Sequence, residues 1–468
     1  MGPRHWTRGV TVHPVVALFS ALGLAVTPAG PHKSPGLDWG ECDGKPDGVV
    51  CATLTLPVDW ARPHGPTFEM SVAKRFAGKT ERRVGTLVFL PGGPGDSGMD
   101  RPIEGDRFSQ EQLDRFDIVS FDPRTVARTA APTCAPQPDR PPVVLRDQAD
   151  FDAAVAANRD YWRQCRATSP VFDHADSATI ARDIDALRQA LGEPRLALHG
   201  SSYGTLLGQM YAEQFPGRVR AMVLESVFDH DLPLTEFVRT EAAALQDSFD
   251  EFVAWCGRVT ETECVLHGTD IRATWRSILQ RADGGTYRPL TSFEIASTPL
   301  GLLQTPRWPQ FAGLIRQLDR NEPPPPPVLD VASGIFCGDF PAAVRDFRSY
   351  RRILKVAADA APDVRYGAGM LAVSTCLGWP RPVANPPHRL AVRTDVPVLL
   401  INARHDPRTA YQWARHVAAE LGRHGRLVTY EGWGHGSYLR TPCTIATVDR
   451  YLIDLAVPPP GASCPAAE

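Results

Sequence analysis

Near residue 200 the chain passes from a short apolar run, Leu196 to His199 (LALH), through Gly200-Ser201-Ser202-Tyr203-Gly204 into a helical pattern, TLLGQMYAEQF. A serine in the middle of G-x-S-x-G is lifted above a sheet by a sharp strand-to-helix turn, and the flanking glycines let the backbone crowd together there. The register selects Ser202, not Ser201. Similar short apolar runs recur at Thr86 to Leu90, Phe116 to Phe121, Ala221 to Leu224, Val396 to Asn402 and Leu427 to Tyr430. Continuous apolar character suits strands buried on both faces, so these predict a mainly parallel sheet. Amphipathic helices fall between them: Ile180, Ile184, Leu187 and Leu191 before Gly192; Leu206 to Phe215, ended by Pro216-Gly217; and Ile445, Val448, Leu452 and Leu455. The alternation predicts an α/β core with helices on both faces of the sheet. Ahead of it, Val50 to Val58 and Phe68 to Lys74 flank a turn-like segment and read as an antiparallel hairpin.

From Asp229 to about Leu390 the alternation stops. This stretch is helical in pattern, rich in Trp and Pro, and broken by Pro323 to Pro327, a stiff polyproline II connector. It reads as an inserted helical cap, which divides the chain into a signal peptide (1–29), the first part of the core (30–228), the cap (229–390) and the second part of the core (391–468). Fifty basic and 53 acidic side chains, a formal net charge of -3, leave no global field for nucleic acid. The partner expected is a peptide or small acyl substrate held in a local site.

Ten cysteines begin only after residue 40: Cys42, Cys51, Cys134, Cys165, Cys256, Cys264, Cys337, Cys376, Cys443 and Cys464. An even set with no CxxC and no Cys/His cluster argues for disulfides rather than zinc, a redox dithiol or free thiols. Nearest-neighbour pairing closes loops outside the sheet in each case and is the connectivity expected. The N-terminus agrees with an oxidising compartment: Arg4, His5 and Arg8 precede an apolar stretch from Val15 to Val26, followed by Thr27-Pro28-Ala29. That layout predicts a signal peptide cleaved after Ala29, and the run is too short for a retained anchor. The mature chain is expected to be secreted or envelope-associated, with no transmembrane segment.

A serine hydroxyl attacks only when a base takes its proton, so an acid and a histidine should follow Ser202 in that order. Asp406 follows the run VPVLLINA, and His435 stands 29 residues later in Gly432-Trp433-Gly434-His435-Gly436. One helix and one strand fill that separation, which brings adjacent strand ends side by side. His405, His424 and His199 read as surface or packing residues. At the end of Thr86 to Leu90 stands Pro91-Gly92-Gly93-Pro94-Gly95, where Gly92 or Gly93 would supply one oxyanion-binding N–H and Tyr203 the other. Asp96-Ser97-Gly98 after it imitates a chymotrypsin-like nucleophile but lacks a suitable preceding histidine. No metal or cofactor is expected.

With these residues in view, the chain resembles the secreted α/β-hydrolase peptidases of the tripeptidyl aminopeptidase and proline iminopeptidase group. The likeness runs from Trp39 to Cys42 and Leu56-Pro57-Val58-Asp59 through Pro91 to Gly95, Phe121-Asp122-Pro123-Arg124, Asp183 to Gly192, Gly200 to Thr205, Phe215-Pro216, Phe336-Cys337-Gly338-Asp339 and Asp406 with Thr409 to Gly434-His435-Gly436. It implies the α/β-hydrolase fold, Ser202, Asp406 and His435 as triad, and release of short peptides from free N-termini without a cofactor. Two departures stand out. Where the group usually has DPRGxGxS, this chain has Thr125, Ala127 and Thr129 in place of two glycines and a serine, a change expected to narrow the pocket or alter the loop's path. Where Asp-Gly is common after the strand following the elbow, Glu225-Ser226 stands here.

Three functions fit these residues: a secreted serine exopeptidase, an esterase or lipase with the same triad, and an inert envelope protein on this scaffold. An aminopeptidase must also hold an ammonium group, for which Asp339 and then Glu225 are the carboxylates expected.

Overall fold

The computed structural model describes residues 36–42, 48–135, 141–325, 331–340, 342–380 and 382–467. The expected signal peptide and Pro326-Pro327 of the proline run lie outside the described residues. Ten strands are described: β1 (Gly40–Glu41), β2 (Val49–Pro57), β3 (Thr67–Arg75), β4 (Gly85–Leu90), β5 (Phe116–Phe121), β6 (Leu196–Ser201), β7 (Val219–Glu225), β8 (Val398–His405), β9 (Gly425–Trp433) and β10 (Ser463–Cys464). They form one sheet in the order β1-β2-β3-β5-β4-β6-β7-β8-β9-β10. Pairing is antiparallel from β1 to β5 and parallel from β5 onward. The fold is that of an α/β hydrolase, with the predicted hairpin as its antiparallel edge.

The apolar runs are continuous because both faces of the central strands are covered. On β4, Val88 and Leu90 enter the larger core cluster while Leu87 and Phe89 enter the smaller one on the opposite face; Leu400 and Ile401 divide the same way on β8. The helices Ser177–Ala190 and Gly204–Gln214 contribute Ile180, Ile184, Leu206 and Met210 to the first cluster, and Pro442–Asp454 contributes Val448 and Leu452 to the second. Asp176 caps Ser177–Ala190 by accepting from Thr179 N, which satisfies an amide donor the helix itself leaves open.

Between 229 and 390 the described residues form helices and no strand, from Leu234–Arg258 to Ala368–Thr375. Trp413 Nε1 donates to Thr240 Oγ1 at 2.7 Å and Trp433 Nε1 to Glu251 Oε2 at 2.9 Å, which hold the long helix Leu234–Arg258 against the sheet's second half. All ten cysteines pair as nearest neighbours: Cys42–Cys51, Cys134–Cys165, Cys256–Cys264, Cys337–Cys376 and Cys443–Cys464, with Cα separations of 4.9 to 5.6 Å. Among the described residues no helix is long and apolar enough to cross a membrane.

The segment after β5 is organised by a buried ion pair. Arg124 Nε and Nη2 donate to Asp183 Oδ2 and Oδ1 at 2.6 and 2.7 Å, and the guanidinium also bonds the carbonyls of Pro57, Val58 and His174. Trp60 Nε1 completes the shell of Asp183 at 2.9 Å. One side chain thus joins the hairpin, the β5 loop and the helix Ser177–Ala190. Just beyond it, Thr125 and Ala127 have φ of 68° and 42°. Both positions have the left-handed backbone that glycine adopts most easily although neither is glycine, which makes them points of local strain.

Two outcomes follow for stability. Asp183→Ala leaves the Arg124 charge buried without its counter-ion and is expected to cost about 3 to 5 kcal/mol, seen as a large fall in thermal midpoint. Thr125→Gly relieves a left-handed strain of about 1 to 2 kcal/mol at the expense of about 0.4 to 1 kcal/mol of unfolded-chain entropy, so its midpoint should rise slightly; a fall would show that Thr125 makes compensating contacts.

Candidate active site

Strand β6 ends at Ser201, and Ser202 turns the chain with φ of 56° before the helix Gly204–Gln214 begins. This left-handed serine is held from both sides: its N–H donates to Glu225 O at 2.9 Å, and its carbonyl accepts from Thr205 N at 2.9 Å and Thr205 Oγ1 at 2.7 Å. Gly204 is required by contact, because a Cβ there would overlap the Leu90 carbonyl at the end of β4. Gly92 faces the elbow from the neighbouring loop, where a Cβ would stand 3.0 Å from the Ser202 Cβ. Among the described residues no protein acceptor takes the N–H of Gly93 or Tyr203, which leaves two donors at this edge of the elbow. Ser97 is not a competing nucleophile: its hydroxyl donates to the buried Asp122 at 2.6 Å.

Asp406 lies just past β8 and is buried. Its oxygens accept from Arg408 N at 2.9 Å, Thr409 N and Thr409 Oγ1 at 3.0 Å, and His435 Nδ1 at 3.0 Å to each oxygen. Burial pushes the carboxyl upward, but the His435 ring and the two backbone amides outweigh it and hold Asp406 below its ordinary value. His435 is fixed through its backbone, with its N–H donating to Gln304 O at 2.8 Å and its carbonyl accepting from Arg440. With Nδ1 engaged by Asp406, Nε2 is the ring nitrogen open to a reacting group. The loop is tied to the elbow through β7: Gly436 N donates to Ser226 Oγ at 2.9 Å and Tyr438 N to Glu225 Oε1 at 2.7 Å. The other histidines are engaged elsewhere, His405 with Asp247 at 2.8 Å and His199 with Glu225 at 3.2 Å.

The two carboxylates expected to meet a substrate ammonium are spent on the scaffold. Asp339 is fully buried and accepts from Tyr203 OH at 2.5 Å, Ser177 Oγ at 2.6 Å, Asn385 Nδ2 at 2.7 Å and Ser177 N at 3.0 Å. Burial pushes its carboxyl up to about 7, and its bond to the hydroxyl ties down the Tyr203 ring. Glu225 is 4% exposed and bonded to His199 and Tyr438. Ser226 has φ of 55°, a glycine-type backbone like that of Thr125.

A cavity of about 350 Å³ opens at Ser202, lined by Gly93 and Thr409 on the core side and by Phe237, Phe293 and Phe336 from the inserted helices. Its wall carries an acid the sequence reading passed over. Glu241, on the helix Leu234–Arg258, is 3% exposed and accepts from Ala368 N at 2.7 Å and Gly369 N at 3.2 Å. Burial pushes its carboxyl up to about 7 against these amides and the Arg408 charge. A sequence signal existed: Glu241 falls four residues after Phe237 and four before Leu245, on the helix's buried face. Arg408 lines the same cavity. Among the described residues one other group of ligand-type side chains comes together, Asp229, His416 and Glu420. There His416 Nδ1 and the buried Asp229 Oδ2 pair at 2.7 Å, outside the cavity lining.

The family descriptions of the alpha/beta hydrolase fold and of TAP-like protein match residues 85–263 and 363–464. Serine protease Hip1 of Mycobacterium tuberculosis (strain ATCC 25618 / H37Rv) is 28% identical, covering 96% of this chain and 95% of its own. Carboxylesterase B of the same strain is also 28% identical, over 96% and 94%. Tripeptidyl aminopeptidase of Streptomyces lividans is 32% identical over 54% of this chain and 49% of its own. The chain is an α/β hydrolase, an enzyme of the serine-hydrolase class, whose TAP-like region and near-full-length likeness to Hip1 set it beside the α/β-hydrolase serine peptidases.

Proposed function

We propose that this enzyme is a serine exopeptidase that releases short peptides from free N-termini, acting outside the cytosol, where its five disulfides are stable. What supports this reading is a left-handed Ser202 on the wall of a cavity that also carries the buried carboxylate Glu241, together with a bonded His435–Asp406 dyad whose loop is tied to the Ser202 turn through Glu225 and Ser226. Ser202 Oγ attacks the scissile carbonyl while His435 Nε2 takes its proton, and Asp406 keeps the ring's Nδ1–H directed inward and stabilises the imidazolium. The oxyanion forms against the N–H groups of Gly93, or Gly92, and Tyr203, an arrangement in which each donor is worth roughly 3 to 4 kcal/mol. His435 then protonates the leaving amine, and water repeats the sequence on the acyl-enzyme.

Glu241 takes the role expected of Asp339 and Glu225. A peptide's N-terminal ammonium is worth more against a buried carboxylate than in water, since the low-dielectric wall strengthens the pair. The relatives named Serine protease Hip1 and tripeptidyl aminopeptidase favour a peptide substrate. A second reading, ester hydrolysis by the same triad, is favoured by the aromatic lining and by the relative named Carboxylesterase B.

Ser202→Ala is expected to abolish turnover and fluorophosphonate labelling; retained release from tripeptidyl reporters would remove the mechanism. Wild type should cleave free-amine peptides and not their N-acetylated forms; equal rates, or short acyl esters as the only substrates, would favour the esterase. Glu241→Gln should lower kcat/KM for free-amine peptides by about tenfold or more relative to butyrate esters. Because Glu241 ionises as pH rises through about 7 and a peptide's own ammonium loses its proton near pH 8, the peptide-to-ester rate ratio should climb to a maximum between about 7 and 8 and then fall in wild type, and the rising limb should be absent in Glu241→Gln. Taking the ratio cancels the titration of His435, which both substrates share.

A further inference from the structure

Arg408 sits two residues beyond Asp406, and its backbone N–H donates to that carboxylate at 2.9 Å while the residue lines the cavity at Ser202. It lines the aromatic cavity at Ser202 and also a second, more polar chamber of about 430 Å³ bounded by Thr125, Ala127 and Asp96. Gly93 and Pro94, at the expected oxyanion site, belong to both walls as well. Arg408 therefore stands where the two chambers meet, on the walls that Gly93 and Pro94 also share.

The guanidinium is half-buried, and among the described residues it has no hydrogen bond, ion pair or aromatic contact. Its neighbours behave otherwise: Arg404 is bonded to Glu431 and Arg440 to the carbonyls of Gln304, His435 and Gly436. Neither Glu241 nor Asp96, the acids of the two chambers, hydrogen-bonds with it, although the Glu241 carboxylate feels its charge across the cavity. A planar cation with five donors and no hydrogen-bond acceptor is incompletely satisfied, and the group that satisfies it best is a carboxylate bound through two parallel hydrogen bonds.

Resting on the exopeptidase reading, in which Glu241 holds the ammonium on the acyl side, we propose that Arg408 binds a carboxylate on the leaving-group side of the scissile bond. The preferred substrates are then short peptides whose leaving portion carries that carboxylate, at the C-terminus of the peptide or on an acidic side chain. The chamber beyond Arg408 receives this portion, and the enzyme selects its substrate by charge at both ends of the cleft.

The test compares kcat/KM for tetraalanine with tetraalanine amide, and for tetrapeptide amides ending in Asp with those ending in Asn, in wild type, Arg408→Gln and Arg408→Lys. A matched ester pair, 4-carboxyphenyl butyrate and 4-carbamoylphenyl butyrate, carries the same charge difference on a leaving group that needs no ammonium. Wild type should prefer the carboxylate by about tenfold or more in at least one pair. Arg408→Gln should bring that ratio close to one, and Arg408→Lys should fall between. Preference in the first peptide pair identifies the terminal carboxylate, and in the second the side chain. No preference in wild type, or an undiminished ratio in Arg408→Gln that still labels with fluorophosphonate, overturns the proposal. If Arg408→Gln fails to label, Arg408→Lys decides: an unchanged ratio overturns the proposal and a reduced one supports it. If esters are cleaved and peptides are not, the exopeptidase reading fails, and the ester pair alone decides Arg408. A change through folding or through the triad's electrostatics would move charged and neutral substrates together and leave the ratio alone.

Discussion

The contact between Gly204 and the Leu90 carbonyl is the constraint on which the site depends. It lets the elbow sit against the end of β4, which is also where the Gly92-Gly93 loop starts. Any side chain at Gly204 would push the helix Gly204–Gln214 away from the sheet and separate Ser202 and Tyr203 from that loop. The close approach also costs something locally, since Ser202 is held at a φ few non-glycine residues adopt. Bonds to Glu225 and Thr205 and burial of the following helix from Gly204 to Ala212 over-determine the turn and make the conformation sustainable.

Around that contact the protein uses buried polar side chains as ties between segments distant in sequence. Asp339 joins an inserted helix to the elbow through Tyr203 and to the core through Ser177. Glu225 and Ser226 join β7 to the histidine loop, and Arg124 with Asp183 joins the hairpin to the core. Each tie satisfies its own hydrogen bonds, so the buried groups do not open the interior to water. The sum is a cavity at Ser202 with one side built by the core and the other by the insertion.

This division explains where sequence reading succeeded and where it did not. The strands were legible because burial on both faces demands continuous apolar runs; Ser202, Asp406 and His435 were expected at the ends of such runs, and the structure brings His435 against Asp406 there. Cysteine pairing followed chain proximity because each bridge closes a local loop. The surroundings of Asp339 and Glu225 were not legible, because a carboxylate in a motif looks the same in sequence whether it faces solvent or internal donors, and both are buried and bonded within the protein. Glu241 was missed because a single acid in an amphipathic helix carries no motif, although its place on the apolar face was a readable anomaly.

The sequence by itself determined the α/β class, the strand-end positions of Ser202, Asp406 and His435 and the disulfide chemistry of its cysteines, because these follow from local periodicity and spacing. It also located the altered loop at Thr125 and Ala127. Only the tertiary structure decided that this loop has a left-handed backbone there, which acids are consumed internally, and that Glu241 and Arg408 face one cavity. Those outcomes depend on which side chains meet across segments far apart in sequence, and that is set by packing of the insertion on the sheet, for which no local pattern carries the information.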